Sequence, residues 1–166
     1  MRITAPEGGV SFLDHQPELF GAFNRLYGTL WSDGVLDQPT KEVARLRNAR
    51  VTGCNICKNL RFDGARKAGL TEDMIEEIDA DFESGELAER YKLGIRYADV
   101  IIGDPHGLED ELREELTHEF TPAELVELTI TTAFAMAFSK AAVAWGPPPN
   151  MPVLEVPTPT PDGSVT

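Results

Sequence analysis

One long apolar segment near the C-terminal end constrains the fold of this chain more than any other feature. Thr121-Pro122-Ala123-Glu124 has the spacing of a capping box with proline at the first helical position, and it predicts a helix that continues to Trp145. Apolar residues lie on nearly every side of this helix instead of forming one stripe. Such a helix lies at the centre of a bundle or is covered by a second subunit, and we expect a homo-oligomer.

The remaining periodicity is also helical. A helix is expected over residues 17–31, a second from Pro39 to near Gly53, and a third that carries both cysteines and ends at Gly69. Credible strand patterns are nearly absent, so we predict an all-α fold in one domain over residues 1–146. One stripe of the first helix is expected to face the core: Leu19, Phe20, Phe23, Leu26, Tyr27 and Leu30.

The last segment, residues 147–166, is predicted to be an extended tail with no core of its own. Proline removes backbone donors and fixes the chain in extended, polyproline-like conformations. The apolar residues between the prolines indicate that the tail lies along the domain or along a neighbouring subunit. The prolines of this segment are Pro147, Pro148, Pro149, Pro152, Pro157, Pro159 and Pro161.

The chain has only two cysteines, Cys54 and Cys57, and they stand three residues apart directly after Gly53. At a helix start this spacing brings two sulfur atoms within reach of a disulfide, and the free amide groups of the first turn favour a thiolate. The pattern indicates redox chemistry. Two alternatives stay open: the cysteines fill core space, or they form half of a metal site. Zinc is the weaker of these, because the histidines lack the paired spacing that would complete a site: His15, His106 and His118.

The charge of the chain limits the classes of partner. A formal net charge of −13 argues against nucleic acid and anionic membranes, because both would be repelled. We find no run of about 20 apolar residues suited to a bilayer and no N-terminal targeting pattern, so we expect a cytoplasmic protein with reduced thiols. Lys140 interrupts the apolar last helix, and we expect it to reach solvent or to pair with a carboxylate.

Three motifs carry a resemblance to a known family. Glu42 stands twelve residues before Cys54, and the cysteine pair is followed by the run Ala65-Arg66-Lys67-Ala68-Gly69-Leu70-Thr71. These features resemble the core motif of the carboxymuconolactone decarboxylase-like superfamily, and most closely that of its alkylhydroperoxidase D-like branch. The segment from Thr121 to Thr129 is similar to the final-helix pattern of longer members.

The resemblance implies an all-helical bundle, an obligate homo-oligomer and a peroxiredoxin-type antioxidant activity, namely thiol-dependent reduction of hydroperoxides. By position, Cys57 would attack the peroxide, Cys54 would resolve the product as a disulfide, and Glu42 would relay protons. An external dithiol or thiol would then reduce the disulfide, and neither a metal nor another cofactor is required.

Two positions depart from the family pattern, which usually has a histidine between the cysteines and another four residues after the second. Ile56 and Arg61 stand there in this chain. Arginine stabilises a thiolate but cannot shuttle protons as imidazole does. On one continuous helix, Arg61 would lie on the same face as Cys57, and Lys58 on that of Cys54, so cations could replace the histidines. Alternatively, both are ordinary surface charges.

Two other functions remain open. The chain could be a decarboxylase or isomerase of the same superfamily, in which Glu42, Arg61 or Lys140 binds a small organic acid. It could also be a non-enzymatic redox sensor, in which the disulfide changes assembly or partner binding.

Overall fold

The fold is an α-helical bundle, and the all-α prediction is confirmed. The computed structural model describes residues 2–79, 81–146 and 151–163. Short 3₁₀ turns lie at Phe12–His15, Phe82–Ser84 and Pro105–Gly107. The α-helices of the described residues are α1 (Pro17–Ser32), α2 (Gln38–Val51), α3 (Asn55–Asn59), α4 (Asp63–Lys67), α5 (Glu72–Glu76), α6 (Glu89–Ile102), α7 (Asp110–Glu119) and α8 (Pro122–Trp145).

Helix α2, rather than α8, lies at the centre of the bundle. Ten of its 14 residues are buried, and it packs against both α6 and α8. Val43 and Leu46 face a core formed with α4 to α6, whereas Ala44 faces a second core formed with α6 to α8. The helix begins at an N-cap, Asp37, whose carboxylate accepts a hydrogen bond from the Thr40 amide.

Helix α8 begins at the predicted capping box, in which Thr121 and Glu124 exchange hydrogen bonds. Its buried face is unexpectedly polar and includes Glu127, Thr131, Thr132 and Ser139. The two threonine hydroxyls donate to carbonyl groups one turn earlier, which satisfies them inside the bundle. The opposite face is exposed and largely apolar: Val126, Ile130, Ala133, Ala137, Val143 and Ala144.

By length and composition, α8 is apolar enough to cross a membrane, contrary to the expectation that the chain has no such segment. Core helices of soluble proteins meet the same criterion, so the match is weak evidence.

A buried ion pair joins α8 to α2 and to the end of α1. The Nζ atom of Lys41 lies 2.5 Å from Oε1 of Glu127 and donates to the carbonyl of Leu30 at 2.7 Å. Oε2 of Glu127 accepts hydrogen bonds from the amides of Val35 and Leu36. Because these partners satisfy both charges, the pair links three helices and one loop inside the core.

The described part of the C-terminal tail, residues 151–163, lies against the bundle, and we call it the strap. Its strand β2 (Leu154–Val156) pairs in parallel with β1 (Leu60–Phe62), the strand that follows α3. Thr158 donates through its amide and its hydroxyl to Asp63, and it accepts from the amide of Gly64. Residues 147–150 and 164–166 of the predicted tail lie outside the described residues.

The strap also contacts the C-terminal part of α1. The hydroxyl of Ser32 donates to the carbonyl of Pro159 at 2.6 Å. A Cβ atom at Gly28 would lie 2.1 Å from the backbone of Thr160, whereas one at Gly21 would meet only the distant end of an arginine side chain. Glycine at position 28 is therefore required for the close approach of strap and helix.

We predict that Lys41→Met destabilises the protein by about 3–5 kcal/mol, because it leaves the Glu127 carboxylate buried without a partner charge. The matched control is Lys67→Met, which removes a lysine of 71% side-chain exposure from a surface pair with Asp63. That control should change the free energy of unfolding by no more than about 0.5 kcal/mol. Urea titration followed by circular dichroism measures both variants, and equal effects would contradict the prediction.

Candidate active site at the cysteine pair

The segment that carries the cysteines is not one helix, so the prediction of a continuous helix to Gly69 is wrong. Helix α3 ends at Asn59, strand β1 follows, and α4 begins at Asp63. Gly53 adopts a φ of +67°, which allows the chain to turn sharply between α2 and Cys54. Pairing of β1 with the strap outweighs the helical pattern of the local sequence.

The two sulfur atoms lie together at the start of α3. Cys54 is the N-cap residue, and its sulfur accepts a hydrogen bond from the amide of Cys57 at 3.3 Å. The Sγ atoms are 2.7 Å apart and both cysteines are free. A disulfide needs about 2.05 Å, so a movement of less than about 1 Å would join them. Cys54 is only 1% exposed, whereas Cys57 lines a cavity.

The two thiols of the pair have different pKa values. A hydrogen bond from the Cys57 thiol is the main cause that lowers the pKa of Cys54 to about 6 against the effect of burial. Backbone amides and the Ser139 hydroxyl act in the same direction. The pKa of Cys57 is raised, first by its hydrogen bond to Cys54 and then by burial. Near neutral pH the pair therefore holds one negative charge and one proton.

Glu42 lies in a buried ion pair with Arg45, a residue that the sequence analysis missed. Arg45 donates to both carboxylate oxygens of Glu42, at 2.7 and 2.6 Å, and Glu42 also accepts from the amide of Phe62. Burial, the largest single cause, would lower the pKa of Arg45, but the charge and the hydrogen bonds of Glu42, together with Tyr27 and Cys57, raise that pKa. The three-residue spacing on α2 was the available signal for this pair.

Arg45 also holds the cysteine helix in place. Its guanidinium donates to the carbonyls of Cys57 and Leu60, at 2.8 and 2.7 Å, and lies over the ring of Phe62. The positive charge acts on Cys57 and lowers its pKa, against the larger effects of Cys54 and burial. The cation that influences this thiol is thus contributed by α2.

Arg61 is placed differently from the expectation. Because α3 ends at Asn59, Arg61 is not one helical turn after Cys57, and that predicted shared face is wrong. Its guanidinium pairs with Glu72, with Nε 3.1 Å from Oε1, and donates to the carbonyls of Lys58 and Leu60. Arg61 therefore binds the C-terminal end of α3, whereas Cys54 lies at the start of this helix.

The two lysines that the sequence singled out do not line the cavity at Cys57. Lys58 is exposed. Lys140 is also exposed, which confirms that its side chain reaches solvent, and it borders a separate pocket beside Thr52 and Ile102.

Two buried polar residues, Asn48 and Ser139, complete the surroundings of the sulfur pair. The amide of Asn48 donates to the hydroxyl of Ser139 at 2.9 Å, and the Ser139 hydroxyl lowers the pKa of both cysteines. The sequence analysis missed both residues. A serine in the middle of an apolar helix was the available signal, since such a residue needs a polar partner when buried.

The cavity above Cys57 has a volume of about 620 Å³. Cys57, Arg45, Ser139 and Tyr27 provide polar atoms, and burial raises the pKa of Tyr27 to about 12 so that its hydroxyl remains a donor. Residues Pro157–Thr160 of the strap form one side. Aromatic rings form much of the remaining wall: Phe12, Phe20, Phe23, Phe62 and Phe138.

This cavity corrects the prediction for the first helix. Phe20, Phe23 and Tyr27 of the predicted core stripe line the cavity, and Leu19 and Leu26 are exposed. Only Leu30 of that stripe is buried.

Among residues 2–79, 81–146 and 151–163, no group of three or more His, Cys, Asp or Glu side chains could hold a metal ion.

Comparisons with known proteins identify relatives of this architecture. Residues 17–81 match the model of the carboxymuconolactone decarboxylase family. Two uncharacterized proteins, from Mycobacterium tuberculosis strains CDC 1551 and H37Rv, are 36% identical over 134 residues. The match covers 80% of this chain but 47% of each relative, so the chain spans about half the length of the curated relatives it matches.

Solved structures share the fold at low sequence identity. A protein of unknown function from Agrobacterium tumefaciens has a TM-score of 0.74 at 22% identity, covering 86% of this chain and 97% of its own. An uncharacterized peroxidase-related protein from Ralstonia eutropha, with an alkylhydroperoxidase AhpD core, has a TM-score of 0.72 at 21% identity. The match covers 86% of this chain and 78% of the Ralstonia protein.

We predict that one thiolate of the reduced protein forms with a midpoint at about pH 6, so that the ultraviolet absorbance of the thiolate rises between about pH 5 and 7. Cys57→Ala should raise the midpoint for Cys54 by about 1 pH unit or more, because it removes the principal hydrogen bond to the thiolate. Ser139→Ala should raise it less. The control is Lys58→Ala on the exposed side of α3, which should not move it, and an unchanged midpoint in Cys57→Ala would contradict the assignment.

Proposed function

Because the chain belongs to the carboxymuconolactone decarboxylase-like superfamily and has the alkylhydroperoxidase D-like fold, we propose that it is a thiol-dependent peroxidase. It would reduce an organic hydroperoxide and store the two oxidising equivalents as a Cys54–Cys57 disulfide. The observation that carries this proposal is the sulfur pair: two free Sγ atoms 2.7 Å apart, of which one lines a cavity large enough for an organic ligand.

Cys57 is the attacking residue in this proposal, although the negative charge rests mainly on Cys54 before reaction. Cys57 lines the cavity, whereas Cys54 is buried behind it. The proton of Cys57 passes across the short sulfur–sulfur contact to Cys54 as Cys57 attacks the terminal peroxide oxygen. The O–O bond breaks, Cys57 becomes a sulfenic acid, and an alkoxide leaves.

The second step returns the proton and forms the disulfide. The Cys54 thiol protonates the alkoxide and becomes a thiolate, which attacks the sulfur of the sulfenic acid. Hydroxide leaves and takes one proton from solvent to give water. An external dithiol or thiol then reduces the disulfide by exchange.

In this proposal, Ser139 carries out part of the role that the two histidines have in the family pattern. Its hydroxyl lowers the pKa of both cysteines and is fixed by Asn48, so it would stabilise either thiolate and guide the proton between thiol and alkoxide. Ile56 contributes only apolar cavity wall.

Glu42 and Arg61 act as positioning residues in the proposal. Glu42 accepts two hydrogen bonds from Arg45 and a third from Phe62, an arrangement that supports orientation of Arg45 better than the proton relay expected from the resemblance. Arg61 and Arg45 both bind carbonyls at the end of α3, and together they fix the direction of Cys57.

The geometry gives less support to an enzyme acting on a small organic acid. A carboxylate in the cavity needs a cation with free donors, but Arg45 is already engaged by Glu42. Arg61 pairs with Glu72, and Lys140 borders another pocket.

We also propose that the protein is cytoplasmic. A cytoplasmic location would supply the thiol reductants and keep the pair reduced between turnovers. The net charge of −13 supports neither nucleic acid nor an anionic membrane as a partner.

We predict that Cys57→Ser abolishes consumption of cumene hydroperoxide. Cys54→Ser should still react once and accumulate a sulfenic acid on Cys57, because it lacks the thiol that would resolve it. Dimedone labelling with mass spectrometry identifies the oxidised residue.

Two outcomes would contradict this assignment. If wild-type thiols oxidise no faster than free cysteine, the proposed peroxidase activity is wrong. If dimedone labels Cys54 in Cys57→Ser faster than Cys57 in the reciprocal variant, the two roles are reversed.

We also propose that a second copy of the chain covers the exposed apolar face of α8, which accords with the homo-oligomer expected from the sequence. Ile130→Arg should then reduce the mass of the particle towards the 18.2 kDa of one chain, because an unpaired cation would be buried between subunits. Val10→Arg, which alters an exposed apolar residue outside the helices, is the control. Sedimentation equilibrium measures both, and a wild-type mass of one chain would contradict the proposal.

A further inference from the structure

The cavity above Cys57 offers no unpaired positive charge among its described lining residues. Arg45 is the one charged side chain among its described lining residues, and Glu42 neutralises it through two hydrogen bonds. Two further Arg45 donors are used by backbone carbonyls. An anionic ligand would therefore lose its hydration without gaining a partner charge, which costs several kcal/mol in an apolar site.

The walls favour an apolar ligand of substantial size. The rings of Phe23 and Phe138 lie with centroids 4.0 Å apart, and Phe23 also contacts Phe134 edge to face. Aromatic walls offer a large contact area to rings and branched hydrocarbons. A volume of about 620 Å³ falls within the range of about 300–1,000 Å³ typical of sites for small organic molecules.

The strap forms a wall that the bundle itself does not provide. Pro157, Thr158, Pro159 and Thr160 line the cavity, while Asp63 and Ser32 bind the strap from the bundle. Prolines restrict this wall to few conformations. Its distance from α1 is fixed by the close approach at Gly28.

From these observations we propose that the cavity is a binding site for an uncharged, apolar molecule about the size of one or two aromatic rings, and that the strap sets which molecules fit. The inference rests on the proposed function in one respect: the hydroperoxide group of such a molecule would lie at Cys57 and Ser139, with its hydrocarbon body between the phenylalanine rings and the strap.

A pair of dyes tests the charge preference without any turnover. N-phenyl-1-naphthylamine and 8-anilinonaphthalene-1-sulfonate share one ring frame, but only the second carries a negative charge. We expect the reduced protein to bind the neutral dye at least about tenfold more tightly in fluorescence titrations, because the sulfonate finds no free cation. Equal affinity, or tighter binding of the sulfonate, would overturn the proposal.

A pair of glycine variants on α1 tests the strap. Gly28→Ala places a methyl group against the backbone of Thr160 and should weaken binding of the neutral dye by about tenfold. Gly21→Ala makes the same chemical change two turns earlier, where the added methyl group meets only the end of the Arg25 side chain at 3.6 Å, and should bind the dye as wild type does. Equal binding by both variants would show that the strap does not shape the site.

A third variant tests whether the dye binds inside the cavity or elsewhere on the surface. Ala142→Phe puts a ring into the cavity from α8 and should reduce binding of the neutral dye, while retained affinity would place the dye outside the cavity and overturn the proposal. Circular dichroism verifies that each variant is folded.

Failure of this inference can be distinguished from failure of the proposed function. If the dyes bind as expected but thiol oxidation by cumene hydroperoxide is slow, the peroxidase is wrong and the ligand site stands. If oxidation by cumene hydroperoxide and by hydrogen peroxide is equally fast and the dyes do not discriminate, the peroxidase stands and the ligand site is wrong.

Discussion

The buried pair of Glu42 and Arg45 is the interaction on which the cysteine site depends. Arg45 can be buried because Glu42 neutralises it, and in that position its remaining donors bind the carbonyls at the end of α3. Those bonds hold a five-residue helix that would not be stable alone. A residue of the central helix thus positions the cysteine segment, which is too short to hold its own conformation.

The sequence predicted the helical class, the capping box at Thr121 and the proximity of the two sulfur atoms of Cys54 and Cys57. These features depend on local patterns: a cap and its helix are neighbours in sequence, and so are the two cysteines. The break after Asn59 was not predictable in this way, because strand β1 exists through pairing with residues more than ninety positions later. Tertiary pairing overrode the helical periodicity there.

The polar residues of the site were harder to predict for a related reason. Arg45 and Asn48 look like solvent-facing residues in a sequence, because charged and amide side chains are usually exposed. Both are buried since each finds a partner from another part of the fold. The first-helix stripe was misassigned for the complementary reason: Phe23 and Tyr27 have helical spacing and contact neighbouring rings, but they also line a cavity instead of being enclosed in the core.

The parallel pairing of β1 with β2 has a consequence for how the protein is made. All of the helices and both cysteines precede the strap in the chain, so the bundle can assemble on the ribosome while the cavity at Cys57 still lacks one side. The wall is synthesised after the bundle, and it must close a loop of more than ninety residues to reach β1. A chain that stops short of position 151 would therefore keep its thiols and its helical core but expose the aromatic wall of the cavity to solvent.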